Sequence, residues 1–148
     1  MPEEITLYES GWLGLYGIGH WDFVRRPNSD ACVGVLAVTD KDEVVLVEQF
    51  RIPVQKRVIE IPAGLVGDEP EFRGEKLADT AGRELMEETG FRAGSVVPLL
   101  SSPTSPGMTP EFCHLFHATK LVRENEGGGT GGEDIAVHIV PLAGLRAF

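Results

Sequence analysis

The chain has 148 residues and a net charge of −10, from 23 acidic and 13 basic side chains. That length fits one domain with a real core, and that acidity excludes a nucleic-acid surface, which needs clustered Lys and Arg. No apolar run nears the roughly 18 residues of a membrane span, and the start Met1-Pro2-Glu3-Glu4 is unlike a signal peptide, so a cytoplasmic protein is expected.

Taken in order, the first thirty residues read as short strands and turns. Ile5 to Glu9, Trp12 to Tyr16 and Trp21 to Arg26 are candidate strands, separated by glycines and closed by the turn cluster Pro27-Asn28-Ser29-Asp30. Residues 1–30 are therefore expected as an N-terminal strand region, part of one unit with a domain over 31–148. Ala31 to Thr39 and Glu43 to Phe50 are β-rich runs joined through Asp40-Lys41-Asp42, the pattern of a hairpin. Arg57 to Ile61 is a further strand, ending at Pro62-Ala63-Gly64, and 65–74 is a polar loop.

Leu77, Ala81, Leu85 and Glu88 then fall on one stripe at helical spacing, with Gly90 placed to cap the C-terminus. Gly82 inside this helix costs roughly 1 kcal/mol against Ala, which close packing on a sheet would justify. Strands near 95–100, 111–119 and 135–141 follow. Between the last two lies Asn125-Glu126-Gly127-Gly128-Gly129-Thr130-Gly131-Gly132, read as a mobile loop. It is either an inert linker or, because Glu133-Asp134 follows directly, a substrate lid. The pattern is one mixed sheet with one functional helix, α+β or α/β in type. Cys32 and Cys113 sit in apolar, strand-like surroundings and are expected as buried thiols rather than a disulfide. The four histidines lack zinc-site spacing, and no Walker loop or Gly-x-Ser-x-Gly elbow occurs.

The strongest chemical signal is in Arg83-Glu84-Leu85-Met86-Glu87-Glu88-Thr89-Gly90-Phe91. Glu84, Glu87 and Glu88 are three and four positions apart, hence neighbours on one helix face, where like charges cost roughly 0.2–0.5 kcal/mol per pair. A hard divalent cation reverses that penalty and leaves positions for water and phosphate. Arg83 and Glu87, four apart, form a favourable pair.

This run, with Glu75 eight residues before Arg83, resembles the signature of the Nudix hydrolases. Ten residues separate Gly64 from Glu75, so the loop before the helix is five residues longer than the family pattern. The resemblance implies a Nudix fold, an α/β/α sandwich around a mixed central sheet. It implies Glu84, Glu87 and Glu88 as metal ligands with the Ala63 carbonyl, and Arg83 as a positioning residue that pairs with Glu75. The ion would be Mg²⁺, with Mn²⁺ as an alternative. Val47-Glu48-Gln49-Phe50-Arg51, Val58 to Gly64, and Ser105-Pro106-Gly107 with Glu111 are similar to stretches of ADP-ribose pyrophosphatases and related nucleoside-diphosphate-sugar hydrolases. That narrower resemblance implies a phosphate contact for Arg51, with Glu60 and Glu111 beside metal or substrate. It implies a general base at Glu133, with Asp134 the second candidate. Trp12 and Trp21 would stack on the nucleobase across a homodimer, or serve as interface anchors, with Asp22 and Arg26 near the base or ribose phosphate. The implied reaction is Mg²⁺-dependent hydrolysis of ADP-ribose, or a related ADP-sugar, to AMP and sugar phosphate. GDP-mannose and UDP-sugars are the alternative substrates, and a silent nucleotide-binding domain is the non-enzymatic one.

Overall fold

A computed structural model describes residues 2–29 and 31–148. Asp30, the last residue of the expected turn cluster, lies outside the described residues.

Two sheets form. Glu4–Glu9 (β1), Gly14–Ile18 (β2) and Trp21–Arg25 (β3) make a small antiparallel sheet in the order β1-β2-β3. The middle strand begins two residues later than Trp12, because the Ser10 hydroxyl accepts from the Trp12 and Leu13 N–H groups and the Ser10 N–H donates to the Leu13 carbonyl, tying both residues into the preceding turn. This sheet joins the body through β3: Val24 N–H donates to the Met108 carbonyl (2.8 Å) and Trp21 Nε1 to the Gly107 carbonyl (3.2 Å).

The main sheet contains Ala31–Val38 (β4), Glu43–Arg51 (β5), Lys56–Glu60 (β6), Ala63–Leu65 (β7), Phe91–Pro103 (β8), Phe112–Arg123 (β9) and Ala136–Pro141 (β10). Its order is β10-β5-β4-β9-β8; β4 and β9 run parallel, so the sheet is mixed. The feature that positions the site is a split between β4 and β5. They pair only at Ala37–Val45 and Val38–Val44, then part. β6 takes over the pairing along β5 from Val47 to Arg51, and β7 takes over along β4 from Cys32 to Gly34. The β6–β7 turn is thus wedged into the sheet, with the Pro62 carbonyl accepting from Val35 N–H at 2.8 Å.

The helix Leu77–Thr89 (α1) lies across one face. Ala81 and Leu85 are fully buried against Val33, Val35, Ala37, Val45, Phe116 and Ala118, with Phe91 closing the end. This is the stripe that the sequence periodicity picks out, and burying a Leu of this kind contributes about 1.5–3 kcal/mol. Gly90 caps the helix in the left-handed region (φ 73°), its N–H donating to the Met86 carbonyl at 2.8 Å. Gly82 does not pack on the sheet as expected: a Cβ there would meet nothing within 4 Å. Among the described residues no helix is long and apolar enough to cross a membrane.

Candidate active site

The anchoring of Ala81 and Leu85 sets where the rest of α1 points. Glu84 and Glu88 turn toward the β6–β7 wedge. There they line a cleft of about 410 Å³ with Ala63, Gly64, Arg51, Arg26, Glu111 and Glu133. Glu88 is 5% exposed, and one of its carboxylate oxygens accepts from Ala63 N–H at 3.0 Å. Glu84 lies so close to Gly64 that a Cβ at that position would overlap its carboxylate and displace it from this pose. Burial pushes Glu88 up to about 8, against the pull of the Ala63 N–H and with a further push from Glu84 and Glu133. Burial also pushes Glu84 up to about 7; the Arg83 guanidinium opposes this and Glu87 adds to it.

Arg83 organises the helix carboxylates. Its guanidinium contacts Glu75 (3.3 Å), Glu84 (3.0 Å) and Glu87 (3.1 Å) and stacks on the Phe72 ring at 3.9 Å. Phe72 ends a short 3-10 turn, Pro70–Phe72, inside the long loop before the helix, so the extra residues fold back to cover Arg83 rather than hang free. Glu87 departs from the expected three-carboxylate cluster. It is absent from the cleft wall and is held by Arg83, its partner four residues back. Among the described residues, no three His, Cys, Asp or Glu side chains converge on one point. Arg83 draws Glu87 to its own side of the helix while still touching Glu84, which remains on the cleft wall.

The opposite wall comes from the strands. Arg51 lines the cleft and is held through Nε by Glu60 at 2.7 Å. Glu60 is on the same sheet face but not on the cleft wall. Arg26 and Glu111 both reach the cleft and pair at 3.1 Å. Cys32 also lines it, opposite Cys113 in the β4–β9 register. Both thiols are free and half-buried rather than fully buried. Burial and the adjacent Cys113 push Cys32 up to about 12, so its thiol is neutral and a poor nucleophile.

The tryptophans are not brought together within one chain. Trp12, 79% exposed, stands beside Arg26, Leu65 and Asp68 at the cleft edge. Trp21 rests on Pro106 to Pro110, away from it, and Asp22 faces Gly17 on the small sheet. Sequence reasoning missed Gln49, Asp68, Glu69 and Thr130, all of which line the cleft. For Asp68 and Glu69 the signal was present, two acids inside the long loop, but their side of the wedge depends on tertiary packing.

The glycine-rich segment also differs from expectation. Its backbone is pinned to the end of α1: Gly128 N–H donates to the Glu88 carbonyl (2.9 Å) and Gly129 N–H to the Glu87 carbonyl (3.0 Å). Five of its glycines have positive φ, and a Cβ at Gly127 would overlap the Thr89 and Glu88 backbone. The glycines therefore permit close approach to the helix end and left-handed backbone, not simply slack. They also satisfy helix-end carbonyls that would otherwise lack partners. Beyond them Glu133 enters the cleft, whereas Asp134 pairs with Arg57 at 3.0 Å and is 89% exposed on its side chain.

Residues 29–147 match the sequence profile of the NUDIX domain. The chain belongs to the Nudix family. Its sequence is 41% identical over 102 residues to an ADP-ribose pyrophosphatase of Bacillus subtilis (strain 168), covering 68% of this chain and 50% of that protein. It is 38% identical over 121 residues to a methanol dehydrogenase activator of Bacillus methanolicus, covering 82% of this chain and 60% of the relative. It is also 38% identical over 118 residues to a GDP-mannose pyrophosphatase of Citrobacter koseri, covering 74% and 58%. The chain thus spans only about half to three-fifths of these relatives. The crystal structure of an ADP compounds hydrolase superposes with a TM-score of 0.79 at 20% identity, covering 99% of this chain and 81% of that one, a likeness of fold.

The Nudix cleft presents six carboxylates, Asp68, Glu69, Glu84, Glu88, Glu111 and Glu133, against three guanidiniums, Arg26, Arg51 and Arg83. With the Cys32 thiol held neutral, the charged donors are all oxygens, which suit a hard divalent cation. Burial disfavours the ionised forms of Glu84 and Glu88, a penalty that a cation beside them would relieve. The residues present therefore fit a divalent ion.

Proposed function

We propose that the protein hydrolyses the diphosphate linkage of ADP-ribose, or a related ADP-sugar, to AMP and a sugar phosphate. The observation that carries the reading is the meeting, in one cleft, of the buried Glu88 and the partly buried Glu84 with Arg26, Arg51 and Glu133. Such a cleft repels a diphosphate unless cations intervene, and its volume is in the range of small-ligand sites.

Glu84, Glu88 and the Ala63 carbonyl would hold Mg²⁺ or Mn²⁺, with Glu87 joining them when it leaves Arg83. Divalent ions there supply charge neutralisation for the phosphates and acidify bound water. Arg51 and Arg26 bind phosphate oxygens as charged forks, and the Glu60 pairing keeps Arg51 aimed. Glu133 accepts the proton of the attacking water; Asp134, turned to Arg57, does not reach it. Trp12, beside the cleft edge, is placed to stack on the nucleobase.

A second copy of this chain is the proposed cover for the small sheet, where Ile5, Leu7 and Leu15 expose apolar surface on one face. That dimer brings Trp21 of one copy toward the site of the other, and light scattering reads it as twice the chain mass. ADP-ribose, GDP-mannose and UDP-glucose assayed in parallel with Mg²⁺ test the substrate. AMP release fastest from ADP-ribose and lost in Glu88→Gln supports the proposal; preference for GDP-mannose moves it to the GDP-sugar class. Binding without turnover of any of the three refutes an enzyme.

A further inference from the structure

We infer that Arg57 and Asp134 are positioning residues, a reversible latch that sets how far Glu133 reaches into the cleft. The inference rests on the reading of Glu133 as the base. The segment between β9 and β10 is held at two places. Upstream, Gly128 and Gly129 N–H groups are bonded to the last-turn carbonyls of α1, the helix that carries Glu87 and Glu88. Downstream, Ile135 is buried and the Asp134 carboxylate is bonded to Arg57 Nη1 at 3.0 Å. Between these anchors lie only residues 130–133. They form a tight turn in which Glu133 N–H donates to the Thr130 carbonyl (3.1 Å) and Thr130 N–H to the Glu133 carboxylate (3.0 Å). An arch so short transmits the position of either end directly to Glu133.

Arg57 is itself fixed for this task. Its Nε donates to Glu48 Oε1 at 2.7 Å and its Nη2 to the Glu48 carbonyl at 3.1 Å, while Glu48 Oε2 contacts His138 Nε2 at 2.8 Å. The chain His138–Glu48–Arg57–Asp134 therefore links β10, β5 and β6 to the arch. The β5–β6 register pairs Glu48 with Ile59 and Val47 with Glu60, so these residues occupy the sheet face opposite Glu60 and the helix. Strand alternation does the rest. Running into β10, Ile135 and Val137 turn inward on the side from which Glu133 enters the cleft, and Asp134 turns to the reverse face, where Arg57 and Glu48 join it to His138. Two adjacent acids are thereby given separate tasks, one in the cleft and one on the latch.

The strength of the latch matters. An ion pair as exposed as this one shifts an equilibrium by no more than about fivefold. It biases the arch toward the observed pose without locking it, as an element that must admit substrate requires.

The test uses the full chain with Mg²⁺ and ADP-ribose, together with hydrogen exchange of the amides at 130–134. Asp134→Asn and Arg57→Ala are expected to lower kcat about three- to fivefold with KM unchanged. They should speed exchange at 130–134 by a similar factor, with the double variant no worse than either single one. Arg57→Lys recovers part of both effects, which a loss of general stability would not. Glu133→Gln separates the two ideas. If it turns over like the parent, the base assignment fails, while the exchange rates of Asp134→Asn still decide the latch. Parental exchange at 130–134 in Asp134→Asn overturns the inference whatever Glu133→Gln does.

Discussion

In metal-free protein the buried carboxylates make stability fall as pH rises, and Glu88→Gln should abolish much of that fall. Glu88 protonates at about 8 and Glu84 at about 7 in the folded chain, against an ordinary 4.5. Both folded values lie above the unfolded ones. Between pH 4.5 and 7–8 the folded chain therefore holds protons that the unfolded chain has released, and stability declines with pH across that window. Below it both states are protonated and above it both are ionised, so these two groups contribute no slope. For Glu88 the gap between 4.5 and about 8 corresponds to at most about 5 kcal/mol at 1.36 kcal/mol per pH unit. Water in the open cleft screens it, leaving about 2–3 kcal/mol. The perturbation is Glu88→Gln, which keeps the shape and removes the charge. The assay is urea unfolding in EDTA from pH 5 to 9. The parent should lose stability from pH 5 to 8.5, and Glu88→Gln should be more stable than the parent at pH 8.5 by about 2 kcal/mol. With Mg²⁺ at alkaline pH the order should reverse, because a ligand that binds only the folded state stabilises it. A parent whose stability rises over this window, or a Glu88→Gln variant weaker than the parent at pH 8.5 in EDTA, refutes the reasoning.

Gly64→Ala places a methyl on the Glu84 carboxylate, so Mn²⁺ affinity by calorimetry should drop at least about tenfold while far-UV circular dichroism is unchanged. Gly82→Ala fills open space on the helix, and unfolding free energy should rise by about 1 kcal/mol. Leu85→Ala opens a cavity under the helix and should cost about 2–5 kcal/mol in the same measurement, with turnover at low temperature falling as α1 loosens.

Much of this architecture was legible in the chain. The α1 stripe and its Gly90 cap are local signals, and they survive folding intact. The β4–β5 hairpin was also visible, although not its early parting, because only β6 and β7 competing for the same edges reveal it. β7 was hidden for a related reason: three residues next to Pro62 carry no alternation, and their strand character comes wholly from β4. β8 and β9 run to 13 and 12 residues, well past their expected ends, because eleven mutual pairs stabilise stretches weak on their own. At the site, spacing placed Glu84 and Glu88 correctly on the helix. The four-residue spacing also indicated the Arg83–Glu87 pair, but not that this pair would turn Glu87 away from the cleft that Glu84 and Glu88 line. The pairing of Arg57 with Asp134 joins residues 77 positions apart and left no local trace.

Because the β6–β7 wedge forms the floor of the cleft, the residues that would meet substrate and the residues of the main apolar core are separate sets. Cleft-lining groups such as Gln49, Asp68 and Glu111 can accordingly be exchanged without opening a cavity in that core. A scaffold partitioned in this way lets the cleft lining vary without refolding the interior.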